Sequence, residues 1–249
     1  MHKRPVIGVP AIVPLGNHYM LGSYLIALLR AGARPCILRR STSQKHLARC
    51  LARCDGFLLP GGQDIDPAYY GQKRSPACGK PARKRDLFEL MLTQQILQAE
   101  RPVLGICRGC QVLAVANHGS VIQDIKPIQS VRHNDQNFLH MLFGTHEIAL
   151  AGNSILRRLV PQPETTLRVN SVHHQVVEHP GAHMRVIARG PEGFIEAFQR
   201  DGHPFCLGIQ WHPEFMILTN RVHQNIFNAL VAACRTSAYR RTEDCSGQP

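Results

Sequence analysis

Cys107, His212 and Glu214 are the residues whose types and surroundings could do chemistry together. Cys107 stands between two glycines in Gly105-Ile106-Cys107-Arg108-Gly109, directly after the apolar pair Val103-Leu104 and before a helix-compatible run over 110–116. This is the cysteine form of a nucleophile elbow, a sharp strand-to-helix turn that holds the nucleophile in a strained backbone conformation. The flanking glycines leave room for strand and helix to approach, and the positive end of the helix favours a thiolate. Further along, the apolar run Phe205-Cys206-Leu207-Gly208-Ile209 leads through Gln210-Trp211 to His212-Pro213-Glu214. A histidine two residues before a carboxylate can take the thiol proton on one ring nitrogen while the carboxylate fixes the other. Cysteine, histidine and glutamate would then serve as nucleophile, base and orienter in acyl transfer.

Each half alone has a plainer explanation. A cysteine beside glycines is often a packing residue, and a strand-end histidine before a glutamate is often no more than a helix start. Cys107 and Cys110 also have the C-x-x-C spacing of a thiol redox pair. Thioredoxin-type chains are much shorter, however, and would leave His212 and Glu214 without a role, so the two motifs together favour hydrolysis.

Such residues need a rigid frame, and the chain supplies one by alternating short apolar runs with longer amphipathic ones. That pattern predicts an α/β fold with an open, mostly parallel central sheet flanked by helices. Strands are expected at 6–9, 36–38, 56–59 and 103–106, and later at 148–150, 167–169, 184–188, 195–198 and 205–209. Helices are expected at 19–30, 44–50, 86–99 and 110–116, with a closing helix from near Glu214 to about Ala233. Weak periodicity over 129–144 reads as an irregular surface excursion. One domain over residues 1–235 is expected, followed by a polar, unpatterned and mobile tail over 236–249. In an open α/β sheet the ligand site lies at the carboxyl ends of the strands, where Cys107 and His212 both fall.

Composition excludes several classes. No stretch approaches the roughly 20 apolar residues that span a membrane, and the apolar start, broken by Pro5, Gly8, Pro10 and Pro14, does not read as a secretory leader. Nine cysteines at irregular spacing, with no second pair to complete a zinc site around Cys50 and Cys54, fit reduced thiols in the cytoplasm. The formal charge of +12 is spread over scattered residues and short clusters such as Arg83-Lys84-Arg85. It reads as a solvated surface that attracts small anions rather than as a nucleic-acid interface.

The segments Gly-Ile-Cys107-Arg-Gly-Cys-Gln111 and Gly-Ile-Gln-Trp-His212-Pro-Glu214-Phe resemble class I glutamine amidotransferase domains. Leu59-Pro60-Gly61-Gly62-Gln63-Asp64-Ile65-Asp66-Pro67, Arg85-Asp86-Leu87-Phe88-Glu89-Leu90 and Val169-Asn170-Ser171-Val172-His173-His174-Gln175 narrow the likeness to the γ-glutamyl-γ-aminobutyrate, or γ-glutamyl-polyamine, hydrolase family. The resemblance implies a flavodoxin-like three-layer fold and cleavage of γ-glutamyl amines, as in putrescine and polyamine breakdown. It also implies that Gln111, Ser171 and His173 contact the glutamyl head group. Read physically, the backbone N–H groups of Gly62 and Arg108 can form an oxyanion hole. His173 and His174 lie on opposite strand faces with no third ligand evident, so no metal is expected. No cofactor is needed. Cys110 stands where the family generally has a larger apolar residue, and 129–144 departs from its pattern.

The expected partner is a small γ-glutamyl substrate, without nucleic acid or membrane; oligomeric state is open, a homodimer included. An extended amine is expected to meet Asp64, Asp66, Tyr69 or Tyr70. That acidic pair either attracts a cationic tail or simply forms turns. Two other functions stay open at this point: a glutaminase subunit that hands ammonia to a synthetase, and a thiol redox protein using Cys107 and Cys110.

Overall fold

The computed structural model describes residues 3–12, 18–127 and 145–246. The expected 129–144 excursion therefore lies outside the described residues.

Five strands, β1 (Val6–Pro10), β2 (Arg34–Leu38), β3 (Gly56–Leu59), β4 (Val103–Ile106) and β11 (Cys206–Ile209), form a parallel core in the order β2-β1-β3-β4-β11. Their residues are short apolar runs because both faces of the strands are covered. In β3, Phe57 and Leu59 face one side while Leu58 faces the other.

Helices α1 (His18–Arg30) and α6 (Arg221–Ser246) cover one face through Tyr24, Ala27, Leu28, Ile226, Phe227 and Leu230. On the other face lie α2 (Gln44–Arg53), α3 (Arg83–Gln98) and α4 (Arg108–Ala116), which bury Leu47, Phe88, Leu92, Ile96, Val112 and Leu113. The expected three layers are thus present.

The sheet continues past β11 as an antiparallel extension. It contains β10 (Ile195–Arg200), β9 (Met184–Arg189), β6 (Thr145–Leu150) and β7 (Thr166–Asn170), with β8 (Val176–His179) and β5 (Ser120–Ile122) branching from β10. A short helix, α5 (Ile155–Leu159), connects β6 to β7. Neither β5, β8 nor α5 was expected from periodicity, since each is only three to five residues long.

The carboxyl end of the chain also differs from expectation. Glu214 sits in a single 3-10 turn, Pro213–Phe215, and the closing helix begins only at Arg221, where the Asn220 side chain accepts the Val222 N–H at 2.9 Å. That helix runs on to Ser246 instead of stopping near Ala233. The sequence has no glycine or proline between Asn220 and Gly247 to end it, so polarity alone misplaced the stop. Among the described residues no helix is long and apolar enough to cross a membrane.

Candidate active site

Three neighbouring strands of the parallel core deliver the site. β3 ends in Pro60-Gly61-Gly62, β4 in Cys107, and β11 two residues short of Trp211-His212. Ile106 and Ile209 are register partners, and the Cys107 N–H donates to the Ile209 carbonyl at 2.8 Å, so nucleophile and base leave the same edge side by side.

The elbow is strained as expected: Cys107 has φ 51° and ψ −113°. Its two glycines are needed for different contacts. A Cβ on Gly105 would lie 2.6 Å from the Gly109 carbonyl oxygen, and one on Gly109 would lie 1.9 Å from that of Leu59. Helix α4 can therefore sit directly on β3 and β4 only because both positions lack a side chain. As the first residue of α4, Arg108 has an N–H with no partner inside the helix, next to the thiol.

His212 stands between the other two members of the proposed triad. Its Nδ1 lies 2.6 Å from Glu214 Oε1; a carboxylate only accepts, so Nδ1 carries its hydrogen and Nε2 is left for Cys107. Burial alone would lower the imidazole pKa. The charge of Glu214, joined by that of the Cys107 thiolate, overcomes burial and raises it well above the usual value. The site thus favours a charged imidazole beside Cys107. Around it, Gln210 Nε2 lies 3.8 Å from Cys107 Sγ, and Asn170 grips the His212 backbone at both N–H (2.9 Å) and carbonyl (3.1 Å).

Tyr24 on α1, fully buried, accepts the Gly61 N–H at 3.1 Å, and its hydroxyl is 3.5 Å from His212 Nδ1. Gly61 has no room for a side chain, since a Cβ would fall 2.9 Å from His212 Cε1 and 3.5 Å from Cys107 Cβ.

Beneath the loop lies a buried cluster of four charges. Arg85 donates to Glu89 at 2.6 Å and to the Gly61 and Pro60 carbonyls at 2.9 and 3.3 Å; Arg108 pairs with the same Glu89 and with Asp86 at 2.6 Å. Burial would raise the Glu89 carboxyl, but the guanidiniums of Arg108 and Arg85 hold it below its usual value.

A cleft of about 670 Å³ opens over Cys107. Gly62, Arg108, Gln111, His173 and His212 line it, which brings the two proposed oxyanion positions and two of the three proposed head-group contacts to one cleft. Gln111 is held by the Gln175 carbonyl (3.3 Å) and Gln210 (3.4 Å). Ser171 does not line it and lies buried with its hydroxyl 3.3 Å from His173 Nε2.

Asp64, Gly79, Lys80, Lys126 and His174 form the other part of the lining. Here the expected contacts to the amine need correction. Asp66 caps the 3-10 turn Pro67–Tyr70 through the Ala68 N–H and pairs with Arg83, and neither it nor Tyr69 or Tyr70 lines the cleft. Asp64 does line it, but its oxygens are taken by His174 (3.1 Å) and the Gly79 N–H (2.7 Å). The hydrogen bond to Asp64 in turn raises the His174 pKa. Asp124 stands 3.9 Å from His174 Nδ1, and Lys80 and Lys126 add two cations to the lining, so this wall is not the purely acidic surface that Asp64 and Asp66 suggested.

Several other thiols are poorly suited to reaction. Burial pushes Cys54 and Cys206 up to about 12 and raises Cys110 well above its usual value. Cys110 packs in the core, 3.6 Å from Gln210 Oε1. Among the described residues no group of three or more His, Cys, Asp or Glu is set to hold a metal ion.

Sequence reasoning gave no role to Tyr24, Arg85, Glu89, Lys80, Lys126 or Gln210. The Arg85–Glu89 stretch carried a family likeness, but its partners, the carbonyls of Pro60 and Gly61, leave no local signal.

The Peptidase C26 family model matches residues 5–214. Gamma-glutamyl-gamma-aminobutyrate hydrolase of Escherichia coli O157:H7 is 31% identical over 243 residues, 94% of each chain. Protein NtpR of Enterococcus hirae is 32% identical over 216 residues, 86% of this chain and 88% of the other. A protein of Mycobacterium tuberculosis, provisionally described as a glutamine amidotransferase, is 32% identical over 252 residues, 97% of this chain and 78% of the other. In fold alone, the chain is similar to a Thermoplasma acidophilum protein of known crystal structure, provisionally described as a GMP synthase subunit, with a TM-score of 0.66 and 17% identity over 98% of this chain and all of that one. A family model matched over most of the sequence and relatives of this identity place the chain in the Peptidase C26 family, among the cysteine-dependent amide hydrolases of class I glutamine amidotransferase type.

Proposed function

We propose that this protein hydrolyses the γ-glutamyl amide bond of small γ-glutamyl amines whose leaving half ends in an anionic group, as γ-glutamyl-γ-aminobutyrate does. The carrying observation is a Cys107–His212–Glu214 line that opens on a cleft whose further wall bears Lys80 and Lys126 beside the paired Asp64 and His174.

In this reading the Cys107 thiolate attacks the γ-carbonyl, and the oxyanion is received by the N–H groups of Gly62 and Arg108. His212 gives its Nε2 proton to the departing amine. It then takes one from the water that cleaves the thioester, and glutamate leaves. Glu214 keeps the ring oriented throughout and stabilises it whenever it carries both protons. The eight cysteines described are all unpaired, which fits action in the reducing cytoplasm.

The glutamyl half is common to every candidate substrate, so discrimination comes from the leaving half. The test is kcat/KM for γ-glutamyl-γ-aminobutyrate, γ-glutamyl-putrescine and glutamine under one set of conditions. The anionic substrate should lead by about tenfold or more, and Lys80→Ala with Lys126→Ala should erase most of that lead. Preference for the putrescine adduct would reject the anionic reading. Turnover of glutamine alone, and only with a partner protein added, would establish a glutaminase subunit instead.

A further inference from the structure

We infer that Arg85 and Glu89 are positioning residues that set both donors of the oxyanion hole, with the Glu89 carboxylate as the shared link. This inference rests on the role proposed above for the Gly62 and Arg108 N–H groups.

The first donor is aimed by Arg85. Its guanidinium holds the Gly61 carbonyl at 2.9 Å and the Pro60 carbonyl at 3.3 Å. In a trans peptide the carbonyl and the following N–H point in opposite directions. Fixing the Gly61 carbonyl on buried Arg85 therefore turns the Gly62 N–H to the open side of the loop, where Gly62 lines the cleft with Cys107. The α-carbon of Gly62, at φ 147°, packs directly on this side chain: a Cβ there would lie 2.2 Å from Arg85 Nη1. On the other side of Gly61 the preceding N–H is held by Tyr24, so the loop has little freedom to turn over.

The second donor is the Arg108 N–H, and the Arg108 side chain runs into the same buried cluster. It is 1% exposed and pairs with Glu89 Oε2 and with Asp86. Glu89 thus binds Arg85 through one oxygen and Arg108 through the other. One carboxylate on α3 ties the loop after β3 to the first turn of α4, and the two N–H groups come from those two places. Two cations and two anions leave the cluster balanced, so the fold can keep it buried without a stray charge.

The double variant Arg85→Met with Glu89→Gln tests this. It removes one charge of each sign and leaves Arg108 paired with Asp86. Two reactions at Cys107 are compared by mass spectrometry of the labelled peptide. Acylation by p-nitrophenyl acetate passes through a tetrahedral oxyanion, whereas alkylation by iodoacetamide does not, so only the first needs the hole. Acylation should fall by about 10- to 100-fold, toward the loss seen when one oxyanion donor is removed, while alkylation stays within about twofold. Unchanged acylation in the folded variant, or a parallel fall in both rates, would overturn the inference. Should the double variant fail to fold, Arg85→Lys keeps the charge but cannot hold Glu89 and two carbonyls with a planar fork. It should show the same split between the two rates, and equal rates would overturn the inference as well. Neither reagent carries a glutamyl group, so a wild-type protein that acylates normally yet cleaves no γ-glutamyl amide would count against the proposed substrate and not against this assignment.

Discussion

At the scale of single residues, the chemistry depends on how Glu214 acts on His212. Burial of a lone imidazole would favour its neutral form, and the carboxylate 2.6 Å away reverses that. Glu214→Gln keeps the shape and removes the charge, so the imidazolium should lose its proton at lower pH. Because that is the proton proposed to go to the leaving amine, the alkaline limb of kcat/KM should move to lower pH by roughly 1–3 units, the usual effect of one close opposite charge. A pH profile with an unmoved alkaline limb would mean that another group sets it. Cys107, His212 and Glu214 were legible in the sequence because each motif is local, a strand end followed by a characteristic turn. Tyr24, Arg85 and Asn170 were not, since they act on backbone atoms 37, 24 and 42 residues away. Which of the two roles offered for Asp64 and Asp66 applies was not legible for a related reason: the sequence shows two carboxylates near a strand end, but not that His174, Gly79, Ala68 and Arg83 already occupy them.

At the scale of elements, the site depends on how closely α4 sits on β3 and β4. The parallel strands were legible because two covered faces require unbroken apolar runs. The antiparallel extension was only partly so: β8 buries just Val176 and Val177, too short a run to separate from a loop. The elbow contact itself offers a sharp test. Gly109→Ala would set a Cβ 1.9 Å from the Leu59 carbonyl oxygen, a backbone atom that cannot swing away, so α4 must shift and carry the Arg108 N–H with it. A stability loss of about 2–4 kcal/mol is expected, as for overpacking at a tight site, together with a fall in turnover well beyond what stability explains. Thermal unfolding and kcat measured on the same preparation check this. A variant of normal activity and unchanged melting would show that the contact is looser than its geometry implies.

For the molecule as a whole, the formal charge of +12 says little about the fold, because the charges that matter are the buried, balanced ones at Arg85, Asp86, Glu89 and Arg108. A buried titratable group outside the site instead adds a sensitivity of the fold to acid. His223 on α6 is fully buried, and burial lowers its pKa to about 4, with the backbone of Arg168 offsetting part of the shift. In the unfolded chain the same imidazole takes up its proton near pH 6.5. Between those two values the unfolded state binds the proton and the folded state does not, so stability from this residue is complete above about pH 6.5 and declines as the pH falls toward 4. Integrated from pH 7.5 down to pH 4.5, the loss is about 2–3 kcal/mol. Glu89 adds a loss at lower pH, since its lowered pKa stabilises the fold only while it is ionised. His223→Gln removes the titration at position 223 and leaves Glu89 in place. Urea unfolding of both proteins at pH 7.5 and 4.5 should therefore show a smaller acid loss in the variant, by about 2 kcal/mol. Equal losses would place the acid sensitivity elsewhere, with His203, also lowered to about 4 by burial and by Arg200, as the next residue to replace.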